Sequence, residues 1–380
     1  MFDPKAVLAY CEAELDALVD CLRQAVEIES PSLNPAAIDR MANFFAQEFS
    51  KRGAKVQVLS NPTAGSAVVA EFWEGKRGTK PLLLLGHLDT VWEIGTLAEM
   101  PYQVREGRAY GPGIYDMKSG IVCGLWAMQA LAALNITPSS PVRFFLNVDE
   151  EVSSVAFREE LLAEARGARA VLVLEPAAAQ GAVKTSRKGV GEFQITVRGR
   201  SAHAGINPSA GVNAISELAR QIPRIEKLAR PKHGLTLNVN VIQGGTRANV
   251  IPELAVARVD VRVPTALDRV KIETKMQALA AIHPEAKLEI TGGVNRPPME
   301  RKMASALFRK ARELGRQMGL DLKEAATGGG SDGNFTAALG IPTLDGLGGT
   351  GDGAHARHEY VVLRELPQRA ALLAALIASL

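Results

Sequence analysis

The chain has little of what would tie it to an oxidising compartment, a membrane or a nucleic acid. Its 380 residues include three cysteines, Cys11, Cys21 and Cys123, with no CxxC spacing. That argues against a disulfide framework and a thiolate metal site, and points to reduced, buried thiols in a cytoplasmic protein. The N-terminus lacks a basic stretch followed by an apolar one, so it does not read as a signal peptide, a secreted form already trimmed being the alternative. No apolar run approaches the length of a membrane span. The net charge of +3 is dispersed, with no Lys/Arg run of the kind that binds nucleic acid or a membrane surface. No G-x-G-x-x-G follows the first strand, which argues against a dinucleotide-binding oxidoreductase. No internal repeat or low-complexity tract is present.

What is there suits a globular protein of about two domains: 47% hydrophobic and 22% charged residues on a chain too long for one core. Asp3-Pro4 caps a helix that runs at helical spacing to Val26. Ser30-Pro31-Ser32 and Asn34-Pro35 break the pattern before a second amphipathic helix over 36–51. Strands follow at 55–59 and 67–72. The unbroken apolar run Leu82-Leu-Leu-Leu85 suits a strand buried on both faces. A largely apolar helix over 120–134 and buried strands at 142–148 and 170–174 complete an α/β pattern.

The character changes near Gly189. Strand, helix, strand, strand, helix and strand are expected at 190–198, 211–228, 235–242, 254–263, 267–282 and 287–291. That order is ferredoxin-like, a four-stranded antiparallel sheet with two helices on one face. Residues 189–294 therefore read as an α+β domain inserted into a catalytic α/β domain of 1–188 and 295–380.

Polar residues of one chemistry collect where apolar strands end. His87 and Asp89 follow the 82–85 run, two apart on extended chain, so their side chains point the same way. A metal-ligating His commonly gives its other ring N–H to a carboxylate, and His-x-Asp fits such a pair. Asp116 stands in the glycine-rich turn Tyr110–Gly120, Asp149-Glu150-Glu151 after the 142–148 strand, and Glu175 at the end of 170–174. His355 and His358 follow a Gly-rich stretch, as competing ligands. Each has an ordinary reading alone: a capping Asp, an acidic surface turn, a strand-end Glu. Together they form an N/O ligand set without Cys, suited to zinc, cobalt or manganese. The set would serve two metals sharing a carboxylate, with one Glu left over as base.

On HLDTVW at 87, YGPGIYDMKSG at 110, DEE at 149, LEP at 174, SAHAGINPSAGVNA at 201, TGGGSD at 327 and AHARHEY at 354, the chain resembles the co-catalytic zinc peptidases. That family includes glutamate carboxypeptidase, N-acyl amino acid deacylases and succinyl-diaminopimelate desuccinylase. The resemblance spans nearly the whole chain and looks most like the glutamate carboxypeptidase branch. It implies a mixed-sheet catalytic domain with an inserted lid and dimerisation domain, and two Zn²⁺, with Co²⁺ or Mn²⁺ able to substitute. Asp116 would bridge the metals, with His87 and Glu175 completing one site and Glu151 and His355 the other. His355 is preferred over His358 because the family's His stands four residues before its Glu, here Glu359. Asp89 would orient His87, and Glu150 would act as general base on a metal-bridging water. The bond Asp116–Met117 would be cis, although some members carry Asp where Met117 stands.

The resemblance also makes His203 an oxyanion-stabilising residue supplied by the neighbouring subunit of a homodimer. Arg262 resembles the binder of the substrate carboxylate, a role that suits a bidentate guanidinium, with Asn249 beside it. Arg296 is a candidate for the side-chain carboxylate of a glutamate. Gly329 and Gly330 could offer backbone N–H groups to a substrate anion. His233 and His283 are assigned nothing. The implied reaction is hydrolysis of an amide to release a C-terminal amino acid, glutamate foremost, from folate-like, N-acyl or peptidyl small molecules. The alternatives are a deacylase of other specificity and a catalytically inactive metabolite-binding dimer.

Overall fold

The computed structural model describes residues 2–73 and 78–380. The chain divides into two compact units: Met1–Ser186 with Arg301–Ala326 and Ser331–Leu380, and Arg187–Glu300 with Thr327–Gly330.

The first unit is built on a six-stranded mixed sheet. Its order is Lys55–Leu59, Ala67–Phe72, Val142–Asn147, Leu82–His87, Ala170–Val173, Thr343–Leu344. The first three pair antiparallel and the last four parallel. Every residue of Leu82–His87 is buried, because this strand lies between two others and both of its faces are covered. The helices Ser119–Ala133 and Leu366–Ser379 pack against each other, and both are apolar almost all round, as helices inside a core are. The parallel strands Leu82–His87, Val142–Asn147 and Ala170–Val173 run out at one edge, where ligands bind in such sheets.

The second unit carries a four-stranded antiparallel sheet ordered Thr236–Gly244, Leu254–Val263, Gly189–Arg198, Lys287–Arg296. Its inner side chains, among them Phe193, Ile195, Val259 and Val261, form one core with Leu218 and Ile225 of the helix Ala214–Glu226 and Ile272 and Met276 of Ala266–Gln277.

Several boundaries differ from the sequence expectation. The first helix is two, Pro4–Ala13 and Leu15–Val26, because Glu14 leaves helical geometry at φ −94°, ψ 9°. Asn213, whose side chain accepts from Ser216 N–H, starts the helix Ala214–Glu226 of the second unit three residues later than expected. The last strand runs to Arg296, past Gly292 and Gly293, through an irregularity between Val294 and Arg296. No helix among the described residues is long and apolar enough to cross a membrane.

Candidate metal centre

The buried strand Leu82–His87 delivers His87 to the sheet edge, 2% exposed. Its Nδ1 donates to the Asp89 carbonyl at 2.9 Å and lies 3.4 Å from Asp89 Oδ1, which leaves Nε2 facing outward from the strand. Asp89 does more than orient this ring. Its Oδ1 accepts from Glu150 N–H at 3.1 Å, and its Oδ2 accepts from Glu151 N–H at 3.1 Å and Ser32 Oγ at 2.6 Å. One carboxylate thus fixes both the histidine and the turn Glu150–Val152.

Asp116 leaves the turn after Tyr110 through a cis peptide to Met117. Its Oδ1 lies 3.3 Å from His87 Nε2, and its Oδ2 lies 3.6 Å from His355 Nε2. Glu175 Oε1 stands 3.6 Å from His87 Nε2, and Glu151 Oε2 stands 3.0 Å from His355 Nε2. Two ligands of one tetrahedral zinc, each bonded at about 2.0–2.1 Å, stand roughly 3.3 Å apart. The spacings fit two cations that share Asp116, with His87 and Glu175 on one side and Glu151 and His355 on the other. Ligand atoms of His87, Glu150 and Glu175 also fall within 4.8 Å of one another, as do those of His87, Asp116 and Glu151. Glu150, 7% exposed, therefore stands beside the ligands without being needed to complete either side. Of the two C-terminal histidines, His355 is the one whose ring reaches these carboxylates.

The electrostatics show what the cluster calls for. Burial alone would raise the Asp116 carboxyl, but hydrogen bonds from His355 and His87 hold it well below the usual carboxylate range. Burial opposes a charge on His87, yet Asp116 and Asp89 hold its pKa well above the ordinary value. The hydrogen bonds to Asp116 and Glu151 push His355 up to about 10. The carboxylates thus favour protonated rings in the metal-free protein, and cations would take the place of those protons.

Backbone packing fixes Glu175. Gly120 lets the helix Ser119–Ala133 cross the strand end, since a Cβ there would meet Leu174 O at 1.8 Å. Gly348 N–H donates to Glu175 O at 2.9 Å. The buried Arg369 guanidinium holds that segment by donating to the carbonyls of Gly346, Gly348 and Gly181. The turn bearing Glu150 is held from behind as well. Asp149 Oδ2 accepts from Val155 and Ala156 N–H at 2.6 and 2.8 Å, and Asp332 accepts from Ser154 Oγ and, at 2.7 Å, from Asn147 Nδ2.

The remaining expected residues lie in the second unit. His203 is exposed on a short ladder, opposite Val250. Its Nδ1 accepts from Gly205 and Ile206 N–H, each at 3.1 Å, which leaves Nε2 as the donor. Asn249 lies beside it, its carbonyl accepting from Ala204 N–H at 3.0 Å. Arg262 pairs with Asp260 at 2.8 Å and reaches Gly328 O at 3.5 Å. Arg296 is 8% exposed and lies against Gly330. The carbonyls of Gly329 and Gly330 accept from Arg187 Nη1 at 3.3 and 2.9 Å. Sequence reasoning gave no role to Ser32, Asp332 and Arg369, and used Glu359 only as a marker for His355. Ser30-Pro31-Ser32 read as a helix break, whereas Pro31 bridges Thr90 and Ser32 reaches Asp89.

Comparison with known proteins places the chain in a family. The family described as peptidase family M20/M25/M40 matches residues 83–379. Carboxypeptidase G2 of Pseudomonas sp. (strain RS-16) is 31% identical over 97% of this chain and 90% of its own. Succinyl-diaminopimelate desuccinylase of Dechloromonas aromatica is 27% identical over 80% of this chain and 85% of its own. Among solved structures, a tripeptidase from Staphylococcus aureus superposes with a TM-score of 0.79 at 22% identity, covering 96% of this chain and 98% of that one. A dinuclear metal binding peptidase of the M20 family from Bacillus subtilis gives 0.71 at 15% identity, covering 97% and 98%. Those two share the fold, and the match along the sequence carries the assignment: the chain belongs to peptidase family M20/M25/M40 and is a metallopeptidase of that family.

Proposed function

We propose that this chain is a zinc-dependent carboxypeptidase that releases a C-terminal amino acid, glutamate by preference, from folate-like, N-acyl or peptidyl substrates. The observation that carries the reading is Asp116, one oxygen toward His87 and the other toward His355, with Glu150 alongside. When bound, two Zn²⁺ (or Co²⁺ or Mn²⁺) supply Lewis acidity and bring the pKa of a coordinated water toward neutrality. Glu150 takes the proton of the attacking water and returns it to the leaving amide nitrogen. The Asp89 contact to its N–H holds the carboxylate in place for both transfers. His203 Nε2–H donates to the oxyanion of the scissile carbonyl. Arg262 and Asn249 take the α-carboxylate, Arg296 the side-chain carboxylate, and Gly329 and Gly330 offer further backbone donors.

The same reading makes the enzyme a homodimer through its inserted unit, with His203 acting in the neighbouring subunit's site. The edge strand Thr236–Gly244 supports this, because Val241 and Ile242 are 40% and 54% exposed on it. A second reading, a deacylase releasing another amino acid, draws support from the 27% identity to a desuccinylase.

The test is a release assay on the zinc-loaded protein with and without chelator. The substrates are one pool of N-acyl amino acids, dipeptides and a folate, and the readout is the identity of the freed amino acid. Chelator-sensitive release of glutamate is expected. Release of a different amino acid supports the deacylase, and no release from the metal-loaded protein overturns both.

A further inference from the structure

Glu359 is fully buried, yet it is no part of the ligand set. Each of its oxygens accepts two hydrogen bonds. Oε1 takes the N–H groups of Tyr115 at 2.9 Å and Asp116 at 3.0 Å. Oε2 takes the N–H of Gly113 at 3.0 Å and the indole Nε1–H of Trp92 at 2.8 Å. Three backbone donors from one short turn converge on an anion, as in a backbone nest. Here the anion is a side chain from 243–246 residues further along the chain.

The same carboxylate belongs to the turn that carries His355. Ala356 N–H donates to Gly353 O at 2.8 Å and Glu359 N–H to Ala356 O at 2.9 Å, so residues 353–359 form one tight unit. Gly353 sits at φ +82°, and a Cβ on it would meet Glu359 Cα at 2.9 Å, so the turn closes only around glycine. The strand Tyr360–Val362 then pairs with Arg108–Tyr110, Tyr360 opposite Tyr110, which sets the register of Glu359 against the Gly111–Gly113 corner. Trp92, the fourth donor, follows five residues after His87. Three ligand-bearing segments thus meet on one buried carboxylate.

We propose that Glu359 is a positioning residue for the metal pair: it presets the distance between Asp116 and His355, and so governs the half of the site that those two residues complete with Glu151. The inference rests on the ligand assignment of the preceding subsection. Without Glu359, the Asp116 turn and the His355 turn lose their common anchor, while His87 and Glu175 stay on the sheet edge.

The test is stepwise zinc binding by the metal-free protein, followed by competition with a chromophoric chelator, for wild type, Glu359→Gln and Glu359→Asp. Gln keeps the shape but turns an N–H₂ toward donors, and Asp withdraws the charge by one methylene. The wild type should bind two equivalents. Because Asp116 is common to both sides while His87 and Glu175 stay in place, both variants should lose less at the first equivalent than at the second, which should bind about 10–100-fold more weakly, the range for losing a residue that orients a metal ligand. A folded variant that binds both equivalents as the wild type does overturns the proposal, and so does one in which both affinities fall by the same factor, as general loosening would give. A wild type that binds fewer than two equivalents defeats the ligand assignment instead. Should both variants fail to fold, amide hydrogen exchange on the wild type decides. The Tyr115 and Asp116 amides should be protected in the metal-free protein as in the zinc-loaded one, and exchange at unprotected rates without metal overturns the proposal.

Discussion

Glu150 is 7% exposed and its main chain is fixed by Asp89, whereas His203 is exposed and its ring is held by two amides of its own loop. The first arrangement draws on the sheet edge, the 30–32 segment and the Asp332 contacts; the second is local. A buried cluster of like charges needs long-range braces, because each carboxylate costs free energy to bury unless donors surround it. A donor meant for a substrate must instead keep one atom free, and a two-strand ladder with one turn suffices. The proposed centre is therefore preorganised within its own unit, while His203, Asn249 and Arg262 are held by short-range contacts within theirs.

Changes on the two sides should separate cleanly. Glu150→Gln should lower turnover by about 10²–10⁴-fold, the range for losing a general base, with both metals retained by elemental analysis. Normal activity would remove Glu150 from that role. His203→Ala should lower kcat by about 10²–10³-fold with metal content unchanged, as loss of an oxyanion donor does. Mixed dimers of His203→Ala with His87→Ala should regain activity, since one site then holds intact parts from both chains; no recovery would place His203 outside a shared site. Asp89→Asn should weaken zinc binding by about 10–100-fold, because the amide turns a donor toward Ser32, Glu150 N–H or Glu151 N–H.

The smallest effect is protonic. His355 in the metal-free protein is raised from 6.5 to about 10 by Asp116 and Glu151. A group raised on folding contributes its stabilisation fully below its unfolded value and loses it as pH rises through the folded value. Melting of the metal-free protein should therefore fall between pH 6.5 and 10 more steeply than that of the zinc-loaded protein, whose histidines have already given up their protons. Calorimetry at neutral pH, in buffers of different ionisation enthalpy, should detect protons released on zinc uptake. Equal heats in all buffers would contradict the protonated pair.

The residues of the proposed centre were legible in the sequence because each ends an element with a strong local signature. Four apolar residues before His87, a glycine-rich turn around Asp116, and apolar strands before Glu150 and Glu175 all mark the sheet edge. The choice between His355 and His358 came from resemblance, and the structure adds the ring's contacts to Glu151 and Asp116. The braces were not legible. Ser32, Asp332, Glu359 and Arg369 act across 21 to 246 residues of chain, and their partners are not legible from their local sequence. Arg369 lies in a helix whose apolar run reads as core, which is also what it is. Asp89 stands between these cases: its neighbour His87 was visible, its hold on two amides of the Glu150 turn was not.

The clasp between Glu359 and the Asp116 turn also has a temporal side. A carboxylate that closes a turn 243 residues upstream cannot act until the ribosome has delivered it. The strand bearing His87 and the whole of residues 187–300 emerge first, so Asp116 and Glu151 wait for His355 and its anchor. Completion of the proposed His355 half of the centre is thus a late event of biosynthesis, deferred until the segment near residue 359 has been made.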